Sequence, residues 1–246
     1  IYGTPIIRRL HDGHWAVIFG NGLNSKSGKA GIYVMTVDQN TGGKSFRFLP
    51  TSAGAALAGT VVAMRNGIVQ LTSADLDGDH VTDYVYAGDA RGNLWRFDLT
   101  SNDPARWAAG DSALFTTPSG QPITTRPTVI TSSDGNDLDR IVVSFGTGQI
   151  LPQTLTAAAV PEPAGQSIYG VWDWDMGTWN AKSSRRYVSL APPQRFTDAD
   201  LTAQTMSDVA YANGDIFGAR TVTRNAVCWK GRPACGSGNA RFGWKL

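Results

Sequence analysis

Glutamate is almost absent from this sequence. Glu162 is the single glutamate among 20 acidic residues, and all the others are aspartates. Helix surfaces use glutamate freely, because aspartate is the poorer helix former. This composition, together with 28 Gly and 12 Pro, argues against a mainly helical protein and predicts an all-β chain with many turns.

A charge excess of one sign and long apolar runs are also missing. The 22 basic residues nearly balance the 20 acidic ones, for a net charge of +2, so no basic stripe indicates a nucleic-acid partner. The most apolar run, 53–64, is too short, and its side chains are too small, to span a bilayer. Ile1 is an unusual natural first residue, and we expect the chain to be part of a larger protein.

Cysteine and histidine are scarce, which limits metal and catalytic chemistry. Cys228 and Cys235 are the two cysteines, and they lack the four ligands of a structural zinc site. They bracket a turn-forming segment, so we predict a disulfide in an oxidising compartment and a free pair in the cytosol. The three histidines, His11, His14 and His80, lie in predicted turns, and no Gly-x-Ser-x-Gly elbow indicates a hydrolase.

What the sequence does contain is an acidic loop with carboxylates at alternate positions. Residues 75–83 read Asp-Leu-Asp-Gly-Asp-His-Val-Thr-Asp. A hard cation such as Ca²⁺ takes about six to eight oxygen ligands, and alternate positions of a tight loop can turn inward to supply them. The predicted ligands are the side chains of Asp75, Asp77, Asp79 and Asp83 and the backbone carbonyl of Val81. The alternative is an acidic, solvated turn that binds no ion.

This loop departs from an EF-hand. An EF-hand needs Gly at its sixth position and a bidentate Glu at its twelfth, where this chain has His80 and Tyr86. Two short β-type runs, 84–89 and 91–98, follow the loop and are joined by a turn. We therefore expect the ion at the tip of a β-hairpin, with about one or two waters completing its coordination.

Internal repetition predicts the architecture. Three segments, 4–38, 68–98 and 126–173, share the order strand, hairpin, strand ending in Gly, turn and aromatic strand. Four-stranded blades with periodic Gly and aromatic residues indicate a β-propeller, and the spacing is less consistent with a β-sandwich. With about 40–45 residues per blade and several insertions, we expect about three or four blades of a partial ring. The calcium-loop blade is placed at 66–99 and a less regular tail at 180–246, within one propeller domain or part of one, 1–246.

The residues after the acidic loop carry a family resemblance. Positions 87–98 read Ala-Gly-Asp-Ala-Arg-Gly-Asn-Leu-Trp-Arg-Phe-Asp. Further matching blocks are Thr4-Pro5 with 15–22, and 145–148 with 167–173. Together with the loop, these blocks resemble the PilC/PilY proteins, the type IV pilus tip-associated adhesins and biogenesis factors of Gram-negative bacteria. The resemblance spans most of 1–175 and is less clear after Trp179.

The resemblance implies a modified β-propeller in the C-terminal half of a large secreted protein at the cell surface or pilus tip, in the periplasm or associated with the outer membrane. In that family the calcium loop is associated with pilus extension and retraction, and the larger molecule with adhesion. Carried over, Asp75, Asp77, Asp79, Val81 and Asp83 hold Ca²⁺, while His80 replaces the usual Gly. The implied partners are pilin or minor pilin subunits and a host-surface receptor or glycan. The implied role is binding, not catalysis.

Two other functions fit parts of the sequence. Quinone-dependent dehydrogenases use similar propeller strands and calcium. However, no run of polar and cationic residues near the loop indicates a binding site for the quinone cofactor. Trp172, Trp174 and Trp179 lie close together in the chain, and an exposed aromatic platform would suit a lectin-like adhesin. Packing between blades is the competing interpretation of these tryptophans.

Overall fold

The computed structural model describes residues 3–23, 25, 28–53, 66–118, 121–133, 138–148, 165–209, 220–232, 235–236 and 238–246. Within these ranges the chain forms short β-strands, one helix, α1 (Gly177–Lys182), and two 3₁₀ turns, Pro104–Arg106 and Asp198–Asp200. The all-β prediction is confirmed. Apart from Ala53, the apolar run 53–64 lies outside the described residues. No helix in the described ranges has both the length and the apolar character of a membrane span.

Sixteen strands are assigned in the described residues. In chain order they are β1 (Ile6–Arg9), β2 (Trp15–Gly20), β3 (Gly31–Val37), β4 (Lys44–Pro50), β5 (Ile68–Ala74), β6 (Tyr84–Asp89), β7 (Asn93–Asp98), β8 (Ala108–Ala109), β9 (Phe115–Thr116), β10 (Thr128–Ser132), β11 (Arg140–Gly146), β12 (Ile168–Asp173), β13 (Thr202–Ala203), β14 (Met206–Asp208), β15 (Arg220–Val222) and β16 (Gly243–Lys245).

Each of the three predicted repeats forms a sheet, and we call these sheets blades 1, 2 and 3. Blade 1 has the strand order β1-β2-β3-β4, and blade 2 has the order β5-β6-β7-β8, with β9 also paired to β7. Blade 3 has the order β10-β11-β12-β16-β13, and β14 and β15 form a separate ribbon. The propeller prediction is confirmed, because each repeat supplies the first three antiparallel strands of one blade.

The hydrophobic core lies between the blades. One cluster joins Ile18 and Ile32 of blade 1 to Leu71 and Phe97 of blade 2. A second cluster joins the other face of blade 2 to blade 3, where Tyr169 is 1% exposed. Every residue of β6, the central strand of blade 2, is buried. Because apolar burial dominates folding energetics, blade 2, which is packed on both faces, is the most firmly held of the three blades. The acidic loop emerges from this blade.

The fourth strand of blade 3 comes from the end of the chain. Strand β16 pairs antiparallel with β12, and Gly170 lies opposite Trp244. A Cβ atom on Gly170 would lie 2.3 Å from the indole nitrogen of Trp244, so a larger residue would displace the ring. Strand β13 then adds in parallel to β16. Residues of the predicted tail therefore complete a blade, a pairing that local sequence does not reveal.

A disulfide closes a turn in another part of the tail, and this turn packs on blade 3. Cys228 and Cys235 are bonded to each other, and Trp229 lies inside the ring that they close. The guanidinium of Arg140 lies 5.3 Å from the ring centroid of Trp172 and 5.7 Å from that of Trp229. The turn thus packs through an arginine and a second tryptophan onto the face of blade 3 that points away from blade 2.

Candidate metal centre

The acidic loop is the tip of the hairpin that joins β5 to β6. Ala74 and Tyr84 are cross-strand partners, and the amide of Asp83 donates to the Ala74 carbonyl at 2.9 Å. The loop therefore begins and ends at the last residue pair of the β5–β6 ladder, which is regular from Leu71 to Ala74. A well-packed strand pair below it fixes the direction in which residues 75–83 leave the blade.

Three of the predicted ligands converge in this loop. Asp75, Asp77 and Asp83 each offer a carboxylate oxygen, and these oxygens all lie within 4.8 Å of one another. Oxygens on opposite sides of an ion bound at about 2.4 Å are about 4.8 Å apart, so these three oxygens are close enough together to bind one metal ion. Asp75 and Asp77 are exposed and Asp83 is buried. The residues present are therefore hard oxygen donors, open to solvent on one side and anchored in the blade on the other.

Asp79 and Val81 are placed differently. The carboxylate of Asp79 accepts a hydrogen bond from the Val81 amide at 2.8 Å. Among the described residues, the converging carboxylates do not include Asp79. Its role as a ligand, and that of the Val81 carbonyl, stay predictions.

The loop backbone is curled around Asp75. One carboxylate oxygen of Asp75 accepts from the Gly78 amide at 2.7 Å, and the other accepts from the His80 amide at 2.9 Å. Gly78 and His80 have positive φ values of 84° and 66°. His80 thus occupies a left-handed conformation that glycine adopts more easily. This conformation gives a physical reason why Gly suits the position.

The crowding of carboxylates perturbs their protonation. Partial desolvation, followed by the negative charges of Asp83 and Asp79, raises the pKa of Asp77 above its ordinary value. Like charges close together disfavour the ionised form, and a bound cation reverses that effect. The loop therefore holds negative charge that a divalent cation would neutralise.

A histidine from blade 1 reaches the buried carboxylate of the loop. Asp83 accepts from the Leu76 amide at 2.6 Å, and His11 Nε2 lies 2.9 Å from its other oxygen. This hydrogen bond, joined by the negative charge of Asp83, raises the pKa of His11 in spite of partial burial. Sequence reasoning placed His11 in an exposed turn and missed this role, because the two residues are 72 positions apart and no local pattern links them.

Two further contacts tie the loop to its surroundings. The Thr82 amide donates to the carbonyl of Arg9 in blade 1 at 2.9 Å. The hydroxyl of Tyr187, which follows α1, donates to the carbonyl of Leu76. The loop is therefore held by blade 1 on one side and by the segment after α1 on the other.

The motif that follows the loop builds the next turn around one buried carboxylate. Asp89 is 0% exposed and accepts from the side chains of Asn66, Asn93 and Trp95 and from the amides of Arg91 and Asn93 at 2.9–3.1 Å. So many donors satisfy a buried carboxylate without a metal. We therefore assign these motif residues to the structure of the blade, not to a second ion site.

The tryptophans considered as a sugar platform are buried. Trp172, Trp174 and Trp179 are 0%, 4% and 4% exposed. Trp174 packs on the ring of Phe242 with 4.4 Å between centroids. A stacking platform needs exposed ring faces, so these three residues serve packing instead, and Trp179 packs against Tyr84 of blade 2 with 6.1 Å between ring centroids.

Comparison with known proteins identifies the family. Residues 1–213 match the family model described as the PilY1 beta-propeller domain. The type IV pilus biogenesis factor PilY1 of Pseudomonas aeruginosa is 30% identical over 279 residues, which cover 100% of this chain and 22% of that protein. A PilY1 homolog of Xylella fastidiosa is 39% identical over 107 residues, 43% of this chain and 7% of that protein.

A solved structure agrees with the sequence comparison. The crystal structure of the Pseudomonas aeruginosa PilY1 C-terminal domain matches with a TM-score of 0.66 and 27% identity, covering 99% of this chain and 50% of that one. The chain thus spans about a fifth of the length of the Pseudomonas relative and half of the solved chain. The resemblance expected from the acidic loop and the motif after it is confirmed: the chain belongs to the PilY1 β-propeller domain family.

Proposed function

We propose that this chain is the calcium-binding propeller of a type IV pilus biogenesis and adhesion factor. The observation that carries the proposal is the convergence of the Asp75, Asp77 and Asp83 carboxylates within 4.8 Å of one another at a hairpin tip. Asp79, the Val81 carbonyl and about one or two waters complete the proposed coordination. The pilus assignment draws on relatives that are named type IV pilus biogenesis factors.

Electrostatics explain how the ion acts on the loop. Without a cation the carboxylates repel one another, and this repulsion adds to partial desolvation in raising the pKa of Asp77. Ca²⁺ at this site removes the repulsion and restrains the loop, since a ligand that binds only the folded form stabilises it. Because Asp83 contacts His11 of blade 1 and Leu76 contacts Tyr187, calcium occupancy also strengthens the junction between blades 1 and 2 and the tail.

The proposed role is binding rather than catalysis. The relatives carry the name of pilus biogenesis factors and not of enzymes. We propose that the calcium-loaded surface contacts a pilin or minor pilin subunit at the cell surface or pilus tip. Through that contact it regulates pilus extension and retraction, twitching motility and surface attachment. A host-surface receptor or glycan is a further proposed partner of the whole protein.

Calcium titration of the chelator-stripped chain tests the metal site. We expect one-to-one binding by calorimetry, with a Kd near the 10⁻⁴–10⁻³ M typical of extracellular modules. At about 100 times the Kd, bound Ca²⁺ adds about 2.7 kcal/mol of stability, and the melting temperature rises by roughly 5–10 °C. No binding at several millimolar Ca²⁺ would contradict the proposal.

Charge-removing variants locate the ion. Asp77→Asn changes an exposed carboxylate, so the fold is retained, and we expect the Kd to rise by at least about tenfold, since ligand charge sets affinity. Asp83→Asn has the same effect on binding and also lowers stability. Asp111→Asn removes an exposed charge from another loop and leaves the Kd unchanged. Equal affinities for Asp77→Asn and Asp111→Asn would place the ion elsewhere.

A cellular assay tests the pilus role separately. The Asp77→Asn and Asp111→Asn variants are introduced into the chromosomal copy of the gene in its host bacterium. Surface pili are then counted and twitching zones measured. We expect Asp77→Asn to change both and Asp111→Asn to change neither. Normal pili and normal twitching with the Asp77→Asn variant, at a calcium concentration that its measured Kd leaves largely unbound, would separate calcium binding from pilus function and refute the regulatory role.

A further inference from the structure

A polar cavity lies where blade 1, blade 2 and α1 meet. It is lined by His11 of the turn between β1 and β2, by Asp98 at the end of β7 and residues 100–102 after it, by Arg106 of the first 3₁₀ turn, and by Lys182 at the end of α1. Every lining side chain carries a hydrogen-bonding group. We call this space the junction cavity. Its volume of about 350 Å³ lies at the lower end of the range of about 300–1,000 Å³ for small-molecule sites.

Two cations of the junction cavity are poorly neutralised. Lys182 forms no ion pair within the described ranges of the chain, and its ammonium donates to the Thr100 hydroxyl at 3.0 Å. Arg106 pairs with Asp103 at 3.8 Å, and these two side chains are 79% and 54% exposed, so the contact contributes little. Cationic groups gathered in a cleft attract anions, and a guanidinium fork matches the two oxygens of a carboxylate. The cavity therefore offers a place for a carboxylate.

The junction cavity also contains acceptors, which a site for a bare anion does not need. Oδ1 of Asp98 accepts from the amide and the hydroxyl of Thr100 at 2.8 and 2.6 Å. The other carboxylate oxygen of Asp98 accepts no hydrogen bond from any residue that the structure describes. The Asn102 side chain adds an amide acceptor and an amide donor. A carboxylate repels a second anion but accepts well from hydroxyls, so the lining suits a ligand with one anionic group and several hydroxyls.

We propose that the junction cavity binds an acidic monosaccharide unit of a glycan, of the uronic acid class. The sugar carboxylate pairs with Lys182 and Arg106, and the sugar hydroxyls bond to Asp98 and Asn102. The inference deepens the glycan-binding part of the proposed function, on which it rests, by naming the ligand class and the site. None of the proposed calcium ligands lines the cavity, so the two sites are tested separately.

The polar lining distinguishes this ligand class from others. Sites for drug-like molecules are mostly apolar, whereas a sugar ring presents hydroxyls on most of its edge. The three tryptophans considered above are buried and offer no stacking face, so recognition in the junction cavity depends on hydrogen bonds and charge. An acidic peptide side chain would use the cations but would leave the Asp98 oxygen without a donor.

A ligand titration followed by NMR tests the proposal. Sodium glucuronate is the probe, and the 246-residue chain is stripped of calcium, because a uronate binds Ca²⁺ itself. We expect saturable binding with a Kd of about 1 mM, which is ordinary for a ligand of this size. Methyl glucoside lacks the carboxylate, and sodium acetate lacks the hydroxyls. Each should bind at least about tenfold more weakly, since each loses one half of the charge-assisted contacts.

Variants locate the sugar within the junction cavity. Lys182→Gln and Arg106→Gln each remove one cation and should raise the Kd at least about tenfold. Lys182→Arg keeps the charge and should stay within about threefold of the parent. Arg186→Gln removes an exposed charge from the same segment outside the cavity and should leave the Kd unchanged. Melting temperatures equal to that of the parent chain show that the variants remain folded.

The outcomes separate the possible interpretations. No saturable glucuronate binding at about 50 mM, far above the expected Kd, would refute the proposal, as would equal affinities for Lys182→Gln and Arg186→Gln. Acetate that binds as tightly as glucuronate would assign the cavity to acidic peptides and also refute the sugar class. Binding that fails only in the cavity variants supports the proposal. If cells with Lys182→Gln then adhere normally to a uronate-bearing glycan surface, the adhesive role fails while the binding site stands.

Discussion

The ion pair between blades 2 and 3 allows a quantitative test of how the blades are joined. Asp173, the last residue of β12, has a fully buried side chain, and that of Arg96 on β7 is 17% exposed. Arg96 Nη1 donates to both carboxylate oxygens at 2.8 and 2.9 Å, and the Tyr86 hydroxyl donates to one of them at 2.8 Å. We predict that Asp173→Asn lowers stability by leaving the arginine without its main partner.

The size of the expected stability loss depends on the hydrogen-bond and charge partners that Arg96 keeps in the Asp173→Asn variant. Removing one partner of a buried ion pair costs about 3–5 kcal/mol, because the remaining charge is uncompensated. Here Arg96 retains the Asp175 carbonyl at 2.9 Å and the Asp175 carboxylate at 3.5 Å, which argues for the lower end of that range. We therefore expect a loss of about 3 kcal/mol. For a chain of this length the melting temperature should fall by roughly 6–12 °C.

Urea denaturation and calorimetry, both followed to completion, measure the effect. Asp175→Asn is the control, since that carboxylate is 33% exposed and more distant from the arginine, and its loss should cost less than about 1 kcal/mol. Adding Arg96→Met to Asp173→Asn removes the buried charge altogether and should recover part of the loss. An Asp173→Asn effect no larger than that of Asp175→Asn would refute the reasoning.

Three other outcomes follow from the structure. Burial raises the pKa of Tyr86, and it raises that of Tyr169 to about 12; since an unfolded phenol titrates near pH 10, the unfolded state loses these protons first. Stability should therefore fall between about pH 10 and 12, and unchanged urea midpoints at pH 9 and 11 would contradict this. His80→Gly removes the strain of the positive φ and should raise stability by about 0.5 kcal/mol, once the greater backbone entropy of Gly in the unfolded state is subtracted. His80→Val should lower stability by about 1 kcal/mol or more, because a β-branched residue tolerates this conformation poorly. Equal urea midpoints for the two variants would contradict this prediction. Replacing Cys228 and Cys235 by Ser opens a ring of 7-residue separation and should cost about 2 kcal/mol, seen as a lower calorimetric melting temperature that dithiothreitol reproduces in the parent chain.

Much of the fold was predictable because its signals are local. Strands such as β2 and β6 follow from short β-type runs bounded by turn residues, and the three-fold repeat of that pattern indicated blades. The acidic loop was equally predictable, because alternate aspartates and a glycine within nine positions favour a curled backbone with inward-facing oxygens. The structure shows that His80, where the resemblance implies Gly, has a left-handed conformation.

Other features depend on contacts between distant parts of the chain, and only the tertiary structure decided them. The pairing of β16 with β12, the approach of His11 to Asp83 and the burial of Trp172 leave no periodic trace in the sequence, since each depends on which surfaces the blades bring together. Asp79 shows the same limit at short range: its place in the alternation predicts a ligand, and only the structure shows that one of its carboxylate oxygens accepts from the Val81 amide. The sequence by itself determined the blades and the acidic loop, because backbone geometry and side-chain alternation act over a few residues. Packing between blades determined the partners of each side chain, because those partners are brought together only when the sheets stack.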